Sequence, residues 1–408
     1  MVACRRPHAL ALLAALCARP ALAVVEPAPP IDEDAKAFPA PPIVRKQVRF
    51  WEKVFAKYPS TTVIVHESID PDRIIDVIDY RSFAKGGSDE PVPRKERDAV
   101  TTRYLRRYTK AIDRFKRFQE NAVKFGPIEK RVWNVYKSSP AAVAKLFSGD
   151  IKLRAQTGLA DDFKRASGVA AAYLPYMEKV FAQYGVPTRL TRLPFVESMF
   201  NMKARSKVGA SGLWQFMPAT AKLFIYVNGM VDERNSPFKA TRAAAQLLGL
   251  NYRELRSWPL AITAYNHGAV GMQRAARQVG TDDIGEIIKR YQSPSFGFAS
   301  RNFYGEFLAA SNAFERLQRS GKLKKTESVP EIESIILEKP LSVRQLLDHT
   351  PITRQILSDH NPCLLDTSFT KYADKALPPF YEIKIPRGMV QATKAALIEL
   401  REKRYARR

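Results

Sequence analysis

The sequence predicts a mainly α-helical protein with an N-terminal helical and β-hairpin region, a long all-α middle and a small C-terminal α+β unit. Three observations predict it. Apolar residues recur at helical spacing almost without break over residues 151–321. Strand-like runs are short and lie towards the ends, at 61–66 (TTVIVH), 74–80 (IIDVIDY), 334–337 and 381–385 (YEIKI). Helix start and stop signals such as Ser236-Pro237, and Gly185 with Pro187, punctuate the periodic segments.

The elements follow in order. Residues 1–23 read as an export signal: Arg5 and Arg6 are basic, 9–16 is an apolar run too short to span a bilayer, and Ala21-Leu22-Ala23 has a small-x-small cleavage form. Lipid attachment at Cys17 is disfavoured, because the large Leu16 stands where a small residue is wanted. Cys4 and Cys17 leave with the signal, so Cys363 remains alone and forms no internal disulfide. Residues 24–44, rich in Pro, Ala and acidic side chains, read as an extended linker. Residues 45–150 hold a helix at 47–58, the hairpin turning at Asp70-Pro71-Asp72, a loop at 85–93 and basic helices over 94–146. His66, Glu67, Asp70 and Asp72 match neither zinc-protease nor calcium-loop spacing, so the expectation is a solvated turn and no metal.

Residues 151–322 form the all-α domain. Its helices are expected at 162–184, 236–250, 258–266, 270–279 and 300–320, the last carrying Phe303, Phe307, Ala310, Phe314 and Leu317 on one face. Residues 331–388 read as a small α+β unit, and 389–408 as a basic helix with a solvated face. The formal net charge is +25 over 408 residues. That excess attracts polyanions and says nothing about fold. Export argues against nucleic acid as a partner. The mature chain has no apolar run long enough to span a bilayer, and peripheral association with a membrane stays open.

Three segments of the middle region carry chemistry. In Leu193-Pro194-Phe195-Val196-Glu197-Ser198-Met199, Glu197 is a carboxylate in an apolar run. Burial would raise its pKa and let it hold a proton near neutrality, as a glycosidase acid must. Taken alone, the segment reads more simply as the edge of an amphipathic helix. In the 209–220 segment, Gly209 and Gly212 permit tight turns around Trp214 and Gln215. An indole and an amide suit a sugar groove; Trp214 suits the core equally. Ala264-Tyr265-Asn266-His267-Gly268 closes an apolar helix, with a tyrosine hydroxyl able to reach a carboxylate and Asn266 able to cap the helix.

In this order, Glu197-Ser198, the GLWQFMP run at 212–218 and Ala264-Tyr265-Asn266 with Gly268 resemble the soluble lytic transglycosylase (SLT) family, and its membrane-bound type D branch in particular. The resemblance covers roughly residues 154–316. It implies a lysozyme-like all-α catalytic domain, a groove for alternating GlcNAc and MurNAc, peptidoglycan glycan strands as partner, no cofactor, and a periplasmic or cell-envelope location. It implies Glu197 as the catalytic acid, with Ser198, Gln215, Met217, Tyr265 and Asn266 binding substrate. One element departs. The family's Glu-Thr-Arg followed by a tyrosine reads Ala299-Ser300-Arg301-Asn302-Phe303-Tyr304 here. Phe303 takes the tyrosine's place, and Tyr304, about 100° further round an ideal helix, is the candidate to replace it.

Most glycosidases use two carboxylates, and only Glu197 stands out here. One suffices if the substrate supplies the nucleophile, as the family's formation of 1,6-anhydro ends implies. A lysozyme-type hydrolase and a non-catalytic wall-binding scaffold are the alternatives. The C-terminal unit resembles, more weakly, a degenerate LysM glycan-binding module or the linker domain before one, and suits a structural cap as well.

Overall fold

The computed structural model describes residues 34–83, 92–117, 125–325 and 332–405. The expected export signal, Cys17 and the loop at 85–91 lie outside the described residues.

After a single turn, α1 (Asp34–Ala37), the first long helix is α2 (Pro42–Ala56). Pro42 opens it without losing an N–H that a helix would use. Val44, Gln47, Phe50, Trp51, Val54 and Phe55 fall on one buried stripe. The expected linker over 24–44 is therefore corrected for residues 34–44. Phe38 is buried with its ring 6.0 Å from that of Phe307, and this apolar anchor holds the segment on the protein.

The hairpin forms as expected, from β1 (Thr62–Glu67) and β2 (Ile74–Asp79), with a register shift between Val65 and His66. The sheet has a third strand that the sequence did not predict. β3 (Leu153–Thr157) pairs antiparallel with the other edge of β1, giving the order β2-β1-β3. Every residue of β1 is buried, so both of its edges need hydrogen-bond partners. Leu-Arg-Ala-Gln-Thr supplies one without any alternation of its own.

His66 and Glu67 are fully buried, which corrects the expected solvated turn. Glu67 meets Lys145, the Tyr136 hydroxyl and Arg73, while Asp70 and Asp72 pair with Lys46, Arg49 and Lys53. Helices α3 (Arg94–Arg117), α4 (Pro127–Tyr136) and α5 (Pro140–Ser148) pack on this sheet around Tyr108, Phe115, Val132 and Tyr136.

The largest core joins α2 to α6 (Ala160–Gln183), α7 (Pro194–Glu197), α8 (Pro218–Ala221), α9 (Pro237–Leu255), α10 (Trp258–His267), α11 (Ala269–Val279), α12 (Ile284–Arg290) and α13 (Phe298–Arg319). Helix α2 lies along α13, where Gln47 donates to the Arg301 carbonyl and Trp51 to Asn302. Its buried apolar side chains contribute roughly 1.5–3 kcal/mol each. The division expected at residue 151 is thus displaced: α2 packs with the middle region, and β3 with the N-terminal sheet.

The C-terminal strands β4 (Ile332–Ile336) and β5 (Glu382–Pro386) pair antiparallel around α14 (Val343–His349) and α15 (Arg354–His360). The last helix, α16 (Val390–Tyr405), is not solvated all round: Val390 and Thr393 are buried, and Leu397 and Leu400 pack on this third core. Met230 and Val231, from the middle region, belong to the same core. The architecture is mainly α, as the sequence predicts.

Candidate active site

Glu197 ends the single turn α7, which lies just beyond a 3-10 turn at Thr188–Arg192. The turn cannot continue, because Met199 and Phe200 have φ values of 51° and 52°, a left-handed conformation that no helix propagates. Beneath it Phe195 packs on Phe163, Phe200 and Phe314, with ring centroids 4.6, 4.6 and 5.4 Å apart. An apolar floor therefore carries one carboxyl at its rim. Burial alone pushes Glu197 from 4.5 up to about 8. Among the described residues it has neither an ion pair nor a hydrogen bond.

Ser198 ties this turn to the next segment. Its hydroxyl donates to the Leu213 carbonyl at 2.7 Å, which leaves its oxygen free only to accept. Gln215 stands at φ 46°, and its amide nitrogen donates to the carbonyls of Ala204 and Gly212. The donor expected to face substrate is thus spent on the loop. Trp214 belongs to the core: it is fully buried, stacks on Phe181 at 5.5 Å, and its Nε1 donates to Thr241 at 3.0 Å. Met217, at the N-cap of α8, is exposed.

Gly212 is required by close approach. At φ 77° a Cβ would lie 1.9 Å from the Arg234 carbonyl oxygen. Arg234 organises this wall. It forms a two-pronged pair with Asp232 and donates to the carbonyls of Gly209 and Phe216.

Tyr265, on α10, donates to the Trp214 carbonyl at 2.8 Å. Burial first, and then the charge of Glu197, raises its pKa well above the ordinary value, which places the two side chains in one site. Asn266 is exposed next to it and accepts from the Ser300 hydroxyl at 2.7 Å. Ser300 thereby joins the start of α13 to the end of α10. Arg301 is structural, holding the carbonyls of Ile288, Tyr291 and Phe296.

Tyr304 does not take over the family tyrosine's role. It is buried, and its hydroxyl donates to the Pro39 carbonyl at 2.8 Å, on the face of α13 turned to the N-terminal segment. Phe303 is buried in the main core. The 100° step between neighbouring helical residues decides the matter, because it turns the side chain after Phe303 towards the N-terminal segment.

A residue that sequence reasoning passed over is Glu306. It lies on α13 between Phe303 and Phe307, which is to say on the apolar stripe itself. Burial first, then the nearby charge of Glu197, raises it from 4.5 to about 8. A glutamate inside an apolar stripe is a signal the sequence does carry. The structure therefore brings together Glu197, Glu306 and Tyr265, with Ser198 one residue along and Asn266 beside Tyr265, and leaves Tyr304 out.

Residues 175–288 match the family model of the transglycosylase SLT domain, so the middle of the chain carries a domain of that class. Among individual relatives, the chain is 26% identical over 193 residues to membrane-bound lytic murein transglycosylase D of Escherichia coli (strain K12), covering 46% of this chain and 42% of that protein. It is 36% identical over 115 residues to a putative tributyltin chloride resistance protein of Alteromonas sp. (strain M-1), covering 28% of this chain and 56% of that protein. The chain thus spans about half the length of the curated relatives it matches. An inactive mutant of lytic transglycosylase Slt from Pseudomonas aeruginosa aligns at TM-score 0.33 and 15% identity, over 52% of this chain and 37% of that one. The 70 kDa soluble lytic transglycosylase of Escherichia coli aligns at TM-score 0.30 and 18% identity, over 47% and 33%. The family match includes Glu197, Gln215 and Tyr265 and stops before α13.

Proposed function

We propose that this protein is a peptidoglycan lytic transglycosylase of the cell envelope, exported by its N-terminal segment, with Glu197 as its acid and base. The observation that carries the reading is a carboxyl held neutral near pH 7 by burial, without a cationic partner, beside Tyr265. The SLT match over the same residues supports it.

Protonated Glu197 gives its proton to the oxygen between MurNAc and GlcNAc, and the C1–O bond breaks. The MurNAc acetamido group steadies the positive charge at C1. The Glu197 carboxylate takes the proton of the MurNAc C6 hydroxyl, and that oxygen closes on C1 as a 1,6-anhydro ring. No water is consumed, and the tethered nucleophile has a large proximity advantage. Among the described residues no helix is long and apolar enough to cross a membrane.

Hydrolysis is the second reading, because a second carboxyl does stand near the first. A hydrolase needs it ionised, on the far side of the sugar from the acid. Glu306 is held protonated near neutrality and comes from the helix packed behind α7, which favours the transglycosylase. Digestion of purified sacculi separates the readings. Anhydro-muropeptides from the wild type, and none from a folded Glu197→Gln variant, are expected. Reducing ends would establish hydrolysis, and intact glycan a scaffold.

A further inference from the structure

Helix α3 carries a basic run that the cleft leaves unused. Its buried face is Val100, Tyr108, Ala111, Ile112 and Phe115. Tyr108 donates to Asp76 of β2 at 2.6 Å, and the Phe115 ring lies 6.3 Å from that of Trp133 on α4. These contacts fix the rotation of the helix about its axis, so its other face is fixed too. That face shows Arg103, Arg106, Arg107 and Lys110, all exposed. On an ideal helix they fall within an arc of about 100° and span about 10 Å. Together they line one hollow of about 510 Å³, in which Asp98 is the one acidic lining residue. The helix belongs to a different core from the one beneath Glu197.

The chain has no acidic residue between Asp98 and Asp113. Asp98 itself pairs with Arg94. Among the described residues none of the four cations has an ion pair, though Arg107 lies 5.6 Å from the centre of the Tyr104 ring. One turn further on, Arg114 does find a partner, in Glu129. Like charges three and four residues apart destabilise a helix. Here Arg103 repels Arg106 and Arg107, and Lys110 repels the same two. Solvated surfaces ordinarily intersperse the two signs. The core beneath holds α3 in spite of this repulsion, and its cations are left for an anion from outside. Three of the four are arginines, whose planar fork matches a carboxylate at two points. An anionic leaflet is the poorer fit. A surface that settles into lipid sets apolar side chains among its cations, and none of the exposed large apolar side chains among the described residues lies on α3.

We propose that this ridge of α3 is a second binding surface for peptidoglycan, outside the cleft, which holds the enzyme on the wall through the carboxylates of its peptides. This rests on the reading of peptidoglycan as the substrate. The peptides repeat along each strand, so the polymer offers carboxylates in series, and four cations in a row engage more than one at once. Each exposed ion pair is weak. Pairs on one scaffold add, and an enzyme held in this way meets the next strand at a raised local concentration. The ridge touches no reacting atom. It acts on capture of the insoluble polymer, and cleavage of fragments too short to reach beyond the cleft is independent of it.

The test compares the intact ridge with the fourfold variant Arg103→Gln, Arg106→Gln, Arg107→Gln and Lys110→Gln. Co-sedimentation with purified sacculi is run in the Glu197→Gln background, so that the polymer stays whole. The four substitutions are expected to weaken binding roughly tenfold or more, the sum of four exposed ion pairs. At about 500 mM salt the two proteins should bind alike. Sacculi whose carboxylates have been converted to amides should bind the intact ridge no better than they bind the variant. In turnover with Glu197 present, the variant should need roughly tenfold more sacculi for half-maximal rate, with kcat and the cleavage of short soluble glycan fragments unchanged. A ridge that is only a solvated face predicts equal binding at low salt, and equal binding overturns the proposal. So does undiminished binding to amidated sacculi. Loss of binding to phosphatidylglycerol vesicles, with sacculus binding intact, overturns it as well and assigns the ridge to a membrane. If the variant does not fold, the intact ridge on native against amidated sacculi decides. Absence of anhydro products from wild type would instead remove the transglycosylase reading, with the sedimentation still judging the ridge.

Discussion

The Tyr265 hydroxyl donates to the Trp214 carbonyl at 2.8 Å, joining two segments 51 residues apart in the chain. Trp214 is held from its other side by Thr241 and Phe181. One bond thus fixes the 209–220 segment relative to α10, next to Glu197.

Tyr265→Phe tests that bond. The ring contacts with Trp214 and Phe216, at 6.5 and 5.9 Å, survive, while the buried carbonyl loses its donor. Thermal unfolding is expected to show a loss of about 1–3 kcal/mol. Product release from sacculi should fall roughly 100-fold, since small displacements at a reacting centre are costly. Full activity in the variant would take Tyr265 out of the site.

Glu197 makes a stability prediction independent of substrate. Burial raises it from 4.5 to about 8, so the folded protein keeps a proton that the unfolded chain releases. A group raised in this way contributes fully below pH 4.5, and its contribution is lost as pH rises towards 8. Glu197→Gln carries no such penalty. It is expected to be more stable than wild type by about 3 kcal/mol at pH 7 and nearly equal at pH 4. Denaturant melts at the two pH values check it; a variant no more stable at pH 7 would mean that Glu197 is ionised in the fold.

The parts of this protein legible in its sequence were those written locally. Helical periodicity marked the helices of the middle region, and Glu197 and Tyr265 stood in ordered motifs. What escaped depends on pairings distant in the chain. β3 exists because β1 has a second edge to satisfy. Tyr304 is drawn to Pro39 because α2 packs along α13, and nothing near residue 304 announces that. Trp214 suits groove and core equally by sequence, and only the distant Thr241, which takes its N–H, assigns it to the core. Glu306 was legible in principle, but a stripe of Phe and Ala at helical spacing drew attention to its apolar members.

Gly212→Ala addresses a position where two constraints coincide. The φ of 77° disfavours any side chain, and the Cβ would overlap the Arg234 carbonyl oxygen at 1.9 Å. Backbone has to move, and with it the Arg234 bonds to Gly209 and Phe216. A loss of about 3 kcal/mol or more is expected in chemical denaturation, with activity abolished. A variant of wild-type stability would mean that the Gly212 backbone stands clear of Arg234.

Lys239→Met asks whether the C-terminal unit is a tethered module or a brace for the cleft. Backbone bonds join Val231 and Asp232 to Cys363 and Leu364, and Ser368 and Thr367 donate to the carbonyls of Met230 and Gly229. At the centre, buried Lys239 pairs with Glu233 at 2.6 Å and lies 3.9 Å from the centre of the Tyr381 ring. Arg242 reaches Glu382 at 2.9 Å. Burial opposes ionisation of Glu382, yet bonds from Lys384 and Ser334 and the charges of Lys384 and Arg242 hold it at about 2. The braced segment carries Arg234, which holds the Gly209 and Phe216 carbonyls. Removing the Lys239 ammonium strands Glu233 in the interior, at a cost of about 3–5 kcal/mol, and should loosen the C-terminal unit and slow glycan cleavage together. Pairing it with Glu233→Gln removes the stranded charge and should restore most of the stability. A tethered module predicts the opposite: Lys239→Met would leave cleavage by the SLT region unchanged while the C-terminal unit alone melted.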